Sequence, residues 1–373
     1  MSSLAGRREL RRYSRHLLIP EVGLAGQEKL ARAGVLVVGA GGLGSPVLQY
    51  LAAAGVGRIG VVDDDVVDVT NLQRQVIYAD ADVGAPKAVV AAGHLRALNR
   101  DVVCEPFVER FTAENARAFV RGYDVVVDAT DTFGARYLIN DAARLEGKPD
   151  VYASIFRFEG QVSVFVPGGP CYRCLFPEPP PEGSVPSCAE GGVLGVLAGM
   201  VGTFQANEAL KLILGIGSPL AGRLVLIDAL EARTREVAFG IDPACPLDGT
   251  QATMTDVAEM ARSAPEPLGV AALAPDALDA YLADHPATRV LDVREPHEAI
   301  LAAPPQSVHI PASVLEARLH ELDTATEYIV ACRVGAKSRW AVNRLRDAGF
   351  RRIRHLDGGL LVYGAHAVSF DVF

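Results

Sequence analysis

The sequence predicts an α/β protein in which a doubly wound sheet is followed by a second, smaller α/β domain. Three observations carry this expectation. A nearly continuous apolar run, "GVLVVGA" (34–40), leads into glycines and then "SPVLQYLAAAG", the pattern of a buried parallel strand, a tight turn and a helix. The same unit recurs along the first two-thirds of the chain. After Gly249 it lapses into "TQATMTDVAEMARSAPEPLG", which is small, polar and proline-bearing, and a fresh α/β series follows.

Taken in order, "RIGVVDDD" (58–65), "VVCEPFV" (102–108), "YDVVVDAT" (123–130) and "GRLVLIDA" (222–229) read as strands, with helices near 86–99, 112–121 and 134–146. Strands alternating with helices place a ligand at the C-terminal edge of the sheet. The longest apolar run, Val193 to Leu214, is interrupted by Gln205, Asn207, Glu208 and Lys211, so a buried or subunit-packing helix is expected and no membrane span. In the second series "TRVLDVREPHE" (288–298), "SVHIPAS" (307–313), "EYIVACRVGAKSR" (327–339) and "RRIRHLDGGLLVY" (351–363) supply strands, and "RWAVNRLRDAGF" a helix.

The 373 residues are half hydrophobic but only 6% aromatic, material for two soluble domains. A formal charge of -9, with no run interleaving arginines and aromatics, argues against a nucleic-acid partner. The opening "MSSLAGRRELRRYSRHLLIP" lacks the apolar core of a secretory signal, and six cysteines are too few for a disulfide scaffold. A cytoplasmic location is expected, with the cysteines acting as ligands, nucleophiles or core.

"GAGGLG" (39–44) has a G-x-G-x-x-G spacing between strand and helix, where backbone amides can cradle phosphate. Alone it fits a plain tight turn or a dinucleotide site, and Asp63 would hold ribose hydroxyls in either nucleotide. "DVTNLQRQ" (68–75), "VGAPK" ending at Lys87 and "DATDT" (128–132) separate the readings, since together they supply triphosphate neutralisation and a magnesium ligand that hydride transfer does not need.

The cysteines divide by context. Cys171-Tyr172-Arg173-Cys174 is an intact ligand pair, whereas "ACPLDG" (244–249) is half a pair whose second member is Asp248. Cys332 opens "CRVGAKSR" between a strand and a helix, with Arg333 and Arg339 nearby, a setting that stabilises a persulfide anion. A Cys-x5-Arg phosphatase loop would need arginine where Ser338 stands. Cys188, in "SVPSCAEGG", lies in a Ser/Pro/Gly neighbourhood from which a thiol could swing, and Cys104, mid-strand, reads as core.

From "RRYSRHLLIPEVG" through "PSCAEGGVLG", about residues 10 to 248, the chain resembles the MoeB/ThiF branch of ubiquitin-activating-like enzymes. "LDVREPHE", "CRVGAKSR" and "HLDGG" resemble a single rhodanese domain over about 268 to 373, in which Asp292 and Arg294 brace the fold. The resemblance implies a Rossmann-like adenylating domain (1–248), a linker (249–267) and a rhodanese-like domain (268–373). It implies ATP on Gly41, Gly42, Asp63, Thr70, Asn71, Leu72, Gln73, Arg74, Lys87, Asp131 and Thr132, with Asp131 acting through Mg2+. Thr132 departs from the family's usual asparagine. Arg15 would reach the neighbouring subunit's nucleotide, which implies a homodimer. Zinc (Zn2+) would sit on Cys171, Cys174 and Cys245, with Asp248 replacing the family's fourth cysteine.

The activity so implied is adenylation of the C-terminal glycine of a ubiquitin-fold sulfur-carrier protein (MoaD/ThiS-like) ending in Gly-Gly. Sulfur would then pass from a Cys332 persulfide, loaded by an external donor such as a cysteine desulfurase or thiosulfate, with Cys188 joining the acyl-disulfide exchange. The rivals are an NAD-dependent oxidoreductase with a rhodanese-like appendage and a non-catalytic carrier-binding adaptor. The identity of the carrier and its pathway stay open.

Overall fold

In the computed structural model the described residues are 11–179, 192–257, 269–296, 298–300 and 302–366, and they form two compact units that divide near residue 260. The first unit is built on an eight-stranded sheet: β1 (Gly34–Val38), β2 (Arg58–Val62), β3 (Val103–Phe107), β4 (Val125–Asp128), β5 (Asp150–Phe156), β6 (Glu159–Phe165), β7 (Arg223–Asp228) and β8 (Arg233–Ala238). Their spatial order is β3-β2-β1-β4-β5-β6-β7-β8. The first five run parallel, and β6, β7 and β8 continue the sheet as antiparallel neighbours.

All five residues of β1 are buried because helices cover both faces of the sheet. Val35 and Val37 pack with Val47, Leu48 and Leu51 of the helix Gly44–Ala54 and with Leu197 and Val201 of the helix Gly195–Leu214. Leu36 and Val38 turn to the other core, with Val120 of the helix Ala113–Arg121 and Ile139 and Ala142 of the helix Phe133–Leu145. The polar residues inside the long apolar run are explained by this burial. Gln205 donates to the carbonyls of Asp128 and Val151 at 2.6 and 3.0 Å, and Glu208 pairs with Lys211 at 2.7 Å. Among the described residues no helix is long and apolar enough to cross a membrane.

The residues read as linker begin on this unit. Val257 is buried in the second core, and Asp256 pairs with Arg117 at 3.2 Å. Strands β5, β6 and β8 escaped the sequence reading. β5 and β6 form one hairpin whose turn is the short Arg157–Phe158 link, and all six residues of β8 are exposed, which leaves no apolar pattern to detect.

The second unit is an all-parallel five-stranded sheet of β9 (Ala271–Leu273), β10 (Arg289–Asp292), β11 (Ser307–His309), β12 (Tyr328–Ala331) and β13 (Ile353–Leu356), in the order β11-β10-β12-β13-β9. Only the first part of "RRIRHLDGGLLVY" is strand. Gly358 and Gly359, at φ of 73° and 70°, break β13, and the apolar remainder begins the helix Gly359–His366.

One buried pair bears on stability. Asp128, ending β4, and Asp150, opening β5, are almost fully buried, and Asp128 Oδ2 and Asp150 Oδ1 lack hydrogen-bond partners among the described residues. Burial pushes both carboxyls up, Asp128 to about 6, and the Asp128 charge raises Asp150 further, while Arg136 pulls Asp128 back. Because the folded values are raised, the stability held by the protonated carboxyls is present below the ordinary 3.8 and is lost as pH rises through the folded values, about 6 for Asp128. Asp150→Asn is therefore expected to stabilise the protein by about 1–3 kcal/mol at pH 7.5 and by much less at pH 4.5. Thermal unfolding at the two pH values checks this, and an equal or destabilising effect at pH 7.5 would contradict it.

Candidate active site and metal centre

In the first unit the strand order reverses between β1 and β4, and the glycine loop opens into that crevice. Gly39, at φ 96°, lies where a Cβ would meet the Ala129 carbonyl at 2.6 Å, and a Cβ on Gly44 would meet the Gly39 carbonyl at 2.1 Å. Those two glycines are required by the turn itself. Gly41 is different: a Cβ there would meet only Gln75 Nε2, at 3.6 Å, so packing within the chain does not demand glycine, and the backbone there is open to close approach.

Around this loop the fold collects most of the residues singled out in the sequence. Asp63, one residue past β2, accepts from the Ala40 amide at 2.7 Å and the Asp65 amide at 3.0 Å. Burial pushes its carboxyl up, while those amides and the Lys87 charge pull it down. Lys87 is buried at the start of the helix Lys87–Leu98 and meets Asp65 at 2.5 Å. Asp68 caps the turn Val69–Asn71 through the Thr70 amide and hydroxyl, which hold its carboxyl below the usual range. Arg74 donates to the Thr70 carbonyl at 2.9 Å, Asn71 is buried, Leu72 packs against the main core and Gln73 is exposed.

Asp131 and Thr132 follow β4 across the crevice. Thr132 caps the helix Phe133–Leu145, its hydroxyl accepting from the Ala135 amide at 3.3 Å, a task asparagine does equally well. Gly42 lies close to Ala198 and Arg74. Arg15, on the short helix Ser14–Leu17, is exposed and makes no hydrogen bond or ion pair among the described residues. Tyr78 and Asp65 were missed from sequence. The buried Tyr78 hydroxyl donates to the Ala40 carbonyl at 2.8 Å and lies 3.3 Å from that of Lys87, joining the two motifs, and nothing local in the sequence signals such a bridge.

The two cysteine motifs do meet. Cys171, Cys174, Cys245 and Asp248 present ligand atoms that all lie within 4.8 Å of one another, and Cys171 Sγ is 3.9 Å from Cys174 Sγ and 3.6 Å from Cys245 Sγ. Bonds of about 2.3 Å to a tetrahedral zinc space its sulfurs about 3.8 Å apart, so the donor set fits the ion. Asp248 Oδ2 stands 4.0 Å from Cys174 Sγ. Burial pushes the Cys171 and Cys174 thiols up, which makes a cation the natural means of holding them as thiolates.

In the second unit Cys332 is buried directly after β12. The Gly335 amide donates to its sulfur at 3.1 Å, and Ser338 Oγ lies 3.5 Å away. Ser338 Oγ is 3.3 Å from Nδ1 of the buried His355, whose ionisation is lowered by burial and then by Arg339. "HLDGG" closes the loop: a Cβ on Gly359 would meet the carbonyls of Arg333 and Cys332 at 2.6 and 2.7 Å, and the Leu360 amide donates to the Cys332 carbonyl at 2.8 Å. Lys337 pairs with Glu298 at 2.8 Å. Arg294, buried, grips Asp292 at 2.7 Å and the Ala302 carbonyl at 2.7 Å. Cys104 is buried in the main core of the first unit, and Cys188 lies outside the described residues.

The ThiF family model matches residues 13–247, and the model of the rhodanese-like domain matches 274–366. The sulfur carrier protein adenylyltransferase of Thermus thermophilus is 57% identical over 257 residues, 67% of this chain and 95% of that protein. The adenylyltransferase/sulfurtransferase MoeZ of Mycobacterium tuberculosis is 43% identical over 380 residues, 97% of this chain and 94% of that one. Among solved structures, E. coli MccB with MccA-N7isoASN shares the fold at a TM-score of 0.57 and 24% identity, over 64% of this chain and 74% of that chain. The chain belongs to the ThiF family, to those members that carry a rhodanese-like domain, and is an adenylyltransferase and sulfurtransferase.

Proposed function

We propose that the protein converts the C-terminal carboxylate of a ubiquitin-fold sulfur-carrier protein ending in Gly-Gly into a thiocarboxylate. The observation that carries this reading is the pairing, in one chain, of a phosphate-cradling crevice rich in charge-neutralising side chains with a buried cysteine whose sulfur accepts a backbone N–H. Residues 1–248 would form the adenylating domain, 249–267 the linker and 268–373 the rhodanese-like domain.

The glycine-loop amides near Gly41 and Gly42 and the segment Thr70 to Arg74 hold ATP, and Asp63 takes the ribose. The carrier carboxylate attacks the α-phosphorus, forming the acyl adenylate and releasing pyrophosphate. Lys87 leaves Asp65 to neutralise the departing anion, with Arg74 and with Arg15 from the neighbouring subunit of a homodimer. Asp131 would hold Mg2+, which would supply further charge neutralisation when bound. Cys171, Cys174, Cys245 and Asp248 would hold a structural zinc, which would pin the segment after β8 beside the helix Phe133–Leu145, whose first turn follows Asp131 and Thr132.

Cys332, loaded as a persulfide by a desulfurase or thiosulfate, attacks the adenylate carbonyl, and AMP leaves. A thiol, Cys188 in this reading, then attacks the Cys332 sulfur of the acyl disulfide. The carrier thiocarboxylate leaves, and a Cys188–Cys332 disulfide forms for reduction by external thiol. Incubation with ATP, a sulfur donor and candidate carriers should give one carrier a mass gain matching exchange of one oxygen for sulfur. No change in any carrier, with protein that catalyses ATP–pyrophosphate exchange, would sink the sulfur-transfer half of the reading.

A further inference from the structure

We propose that Arg144 is the positioning residue of the metal centre: it holds one oxygen of Asp248 and so turns the other toward the thiols, which lets a carboxylate close a site of three cysteines. The inference rests on the zinc reading above.

Arg144 lies in the last turn of the helix Phe133–Leu145, and each of its three guanidinium nitrogens donates a hydrogen bond. Nε donates to Asp248 Oδ1, NH1 to the Val166 carbonyl at 2.6 Å and NH2 to the Gly169 carbonyl at 3.0 Å. The two carbonyls lie on the segment that runs from β6 to Cys171, so one side chain ties the helix to both ligand-bearing stretches. Asp248 is itself buried, its side chain 2% exposed. With Oδ1 accepting from Arg144, Oδ2, which faces Cys174, is the oxygen freer to meet an ion, and bidentate coordination is disfavoured.

Charge points the same way. Three thiolates and a carboxylate overbalance a divalent ion by two charges in a buried place, and the guanidinium offsets one of them. Groups that hold a ligand from behind commonly set metal affinity. Here the holder is a cation at the end of a helix whose own last carbonyls favour one.

The test is a double-mutant cycle on the full chain, with Zn2+ affinity measured by chelator competition and the ligand field read from the visible spectrum after Co2+ loading. Arg144→Leu should lower zinc affinity about 10–100-fold in the wild-type background and weaken the tetrahedral cobalt bands. In the Asp248→Cys background, where four thiolates close the site, the same change should cost little. Arg144→Lys keeps the charge without the planar fork and should show an intermediate loss in the wild-type background alone, a comparison that stands if Arg144→Leu does not fold. Equal losses in both backgrounds would mean that Arg144 only props the fold, and no loss in either would mean that Asp248 needs no positioning. Wild-type protein that takes up neither zinc nor cobalt would overturn the zinc reading and this inference with it.

Discussion

Cys332→Ala is expected to lower thiocarboxylate formation by about 10³-fold or more while leaving carrier-dependent ATP–pyrophosphate exchange within about twofold of wild type. The two readouts part because, in the proposed reaction, the thiol is used only after the adenylate exists. Its sulfur accepts the Gly335 amide at the end of β12, a polar cradle that suits an anionic persulfide and has no part in phosphate chemistry. Intact-mass analysis of the carrier and exchange of labelled pyrophosphate, run on the same preparation, decide the matter. Thiocarboxylate formed at an undiminished rate by the variant would remove Cys332 from the reaction path.

Lys87→Ala should produce the opposite separation. Exchange is expected to fall about 10²–10³-fold, the scale of losing one preorganised charge stabiliser, while Cys332 still takes up sulfur from a donor. The loss should be one of rate more than of folding. Lys87 is buried, but its partner Asp65 keeps a side chain 64% exposed, so removing the lysine leaves a carboxylate that water can solvate. Persulfide on Cys332, followed by mass with and without reductant, separates a dead adenylating site from a misfolded protein. If Lys87→Ala makes thiocarboxylate as well as wild type, the first unit only presents the carrier, and the adenylation step belongs elsewhere.

The two sites were legible to different depths. The glycine-loop crevice could be located because its parts are local: a strand, a glycine turn and a helix start fall within a dozen residues, and Asp63, Lys87 and Asp131 each stand at or just beyond the end of a strand or at the start of a helix. Tyr78 could not be read, since its hydroxyl bridges a carbonyl 38 positions away. Arg144 was likewise invisible: in sequence it is one more basic residue near a helix end, and its partner lies 104 positions on. Gly359 shows the same limit, because "HLDGG" carries its double glycine plainly but not the reason that a Cβ would strike the Cys332 loop.

The sequence by itself determined the kind of protein. Runs such as "GVLVV" and "YIVA", which the fold buries on every residue, read as strands covered on both faces, and the glycine loop, the paired cysteines and "CRVGAKSR" each carry their pattern within a few residues. What only the tertiary structure decided is which distant groups complete each site. Asp248 is in the grip of Arg144, the Tyr78 hydroxyl joins the glycine loop to Lys87, and His355 backs Ser338 beside Cys332. The reason is physical: strand and helix periodicity arises from neighbours along the chain, whereas a ligand set or a buried ion pair depends on distances that exist only once the sheet has been wound.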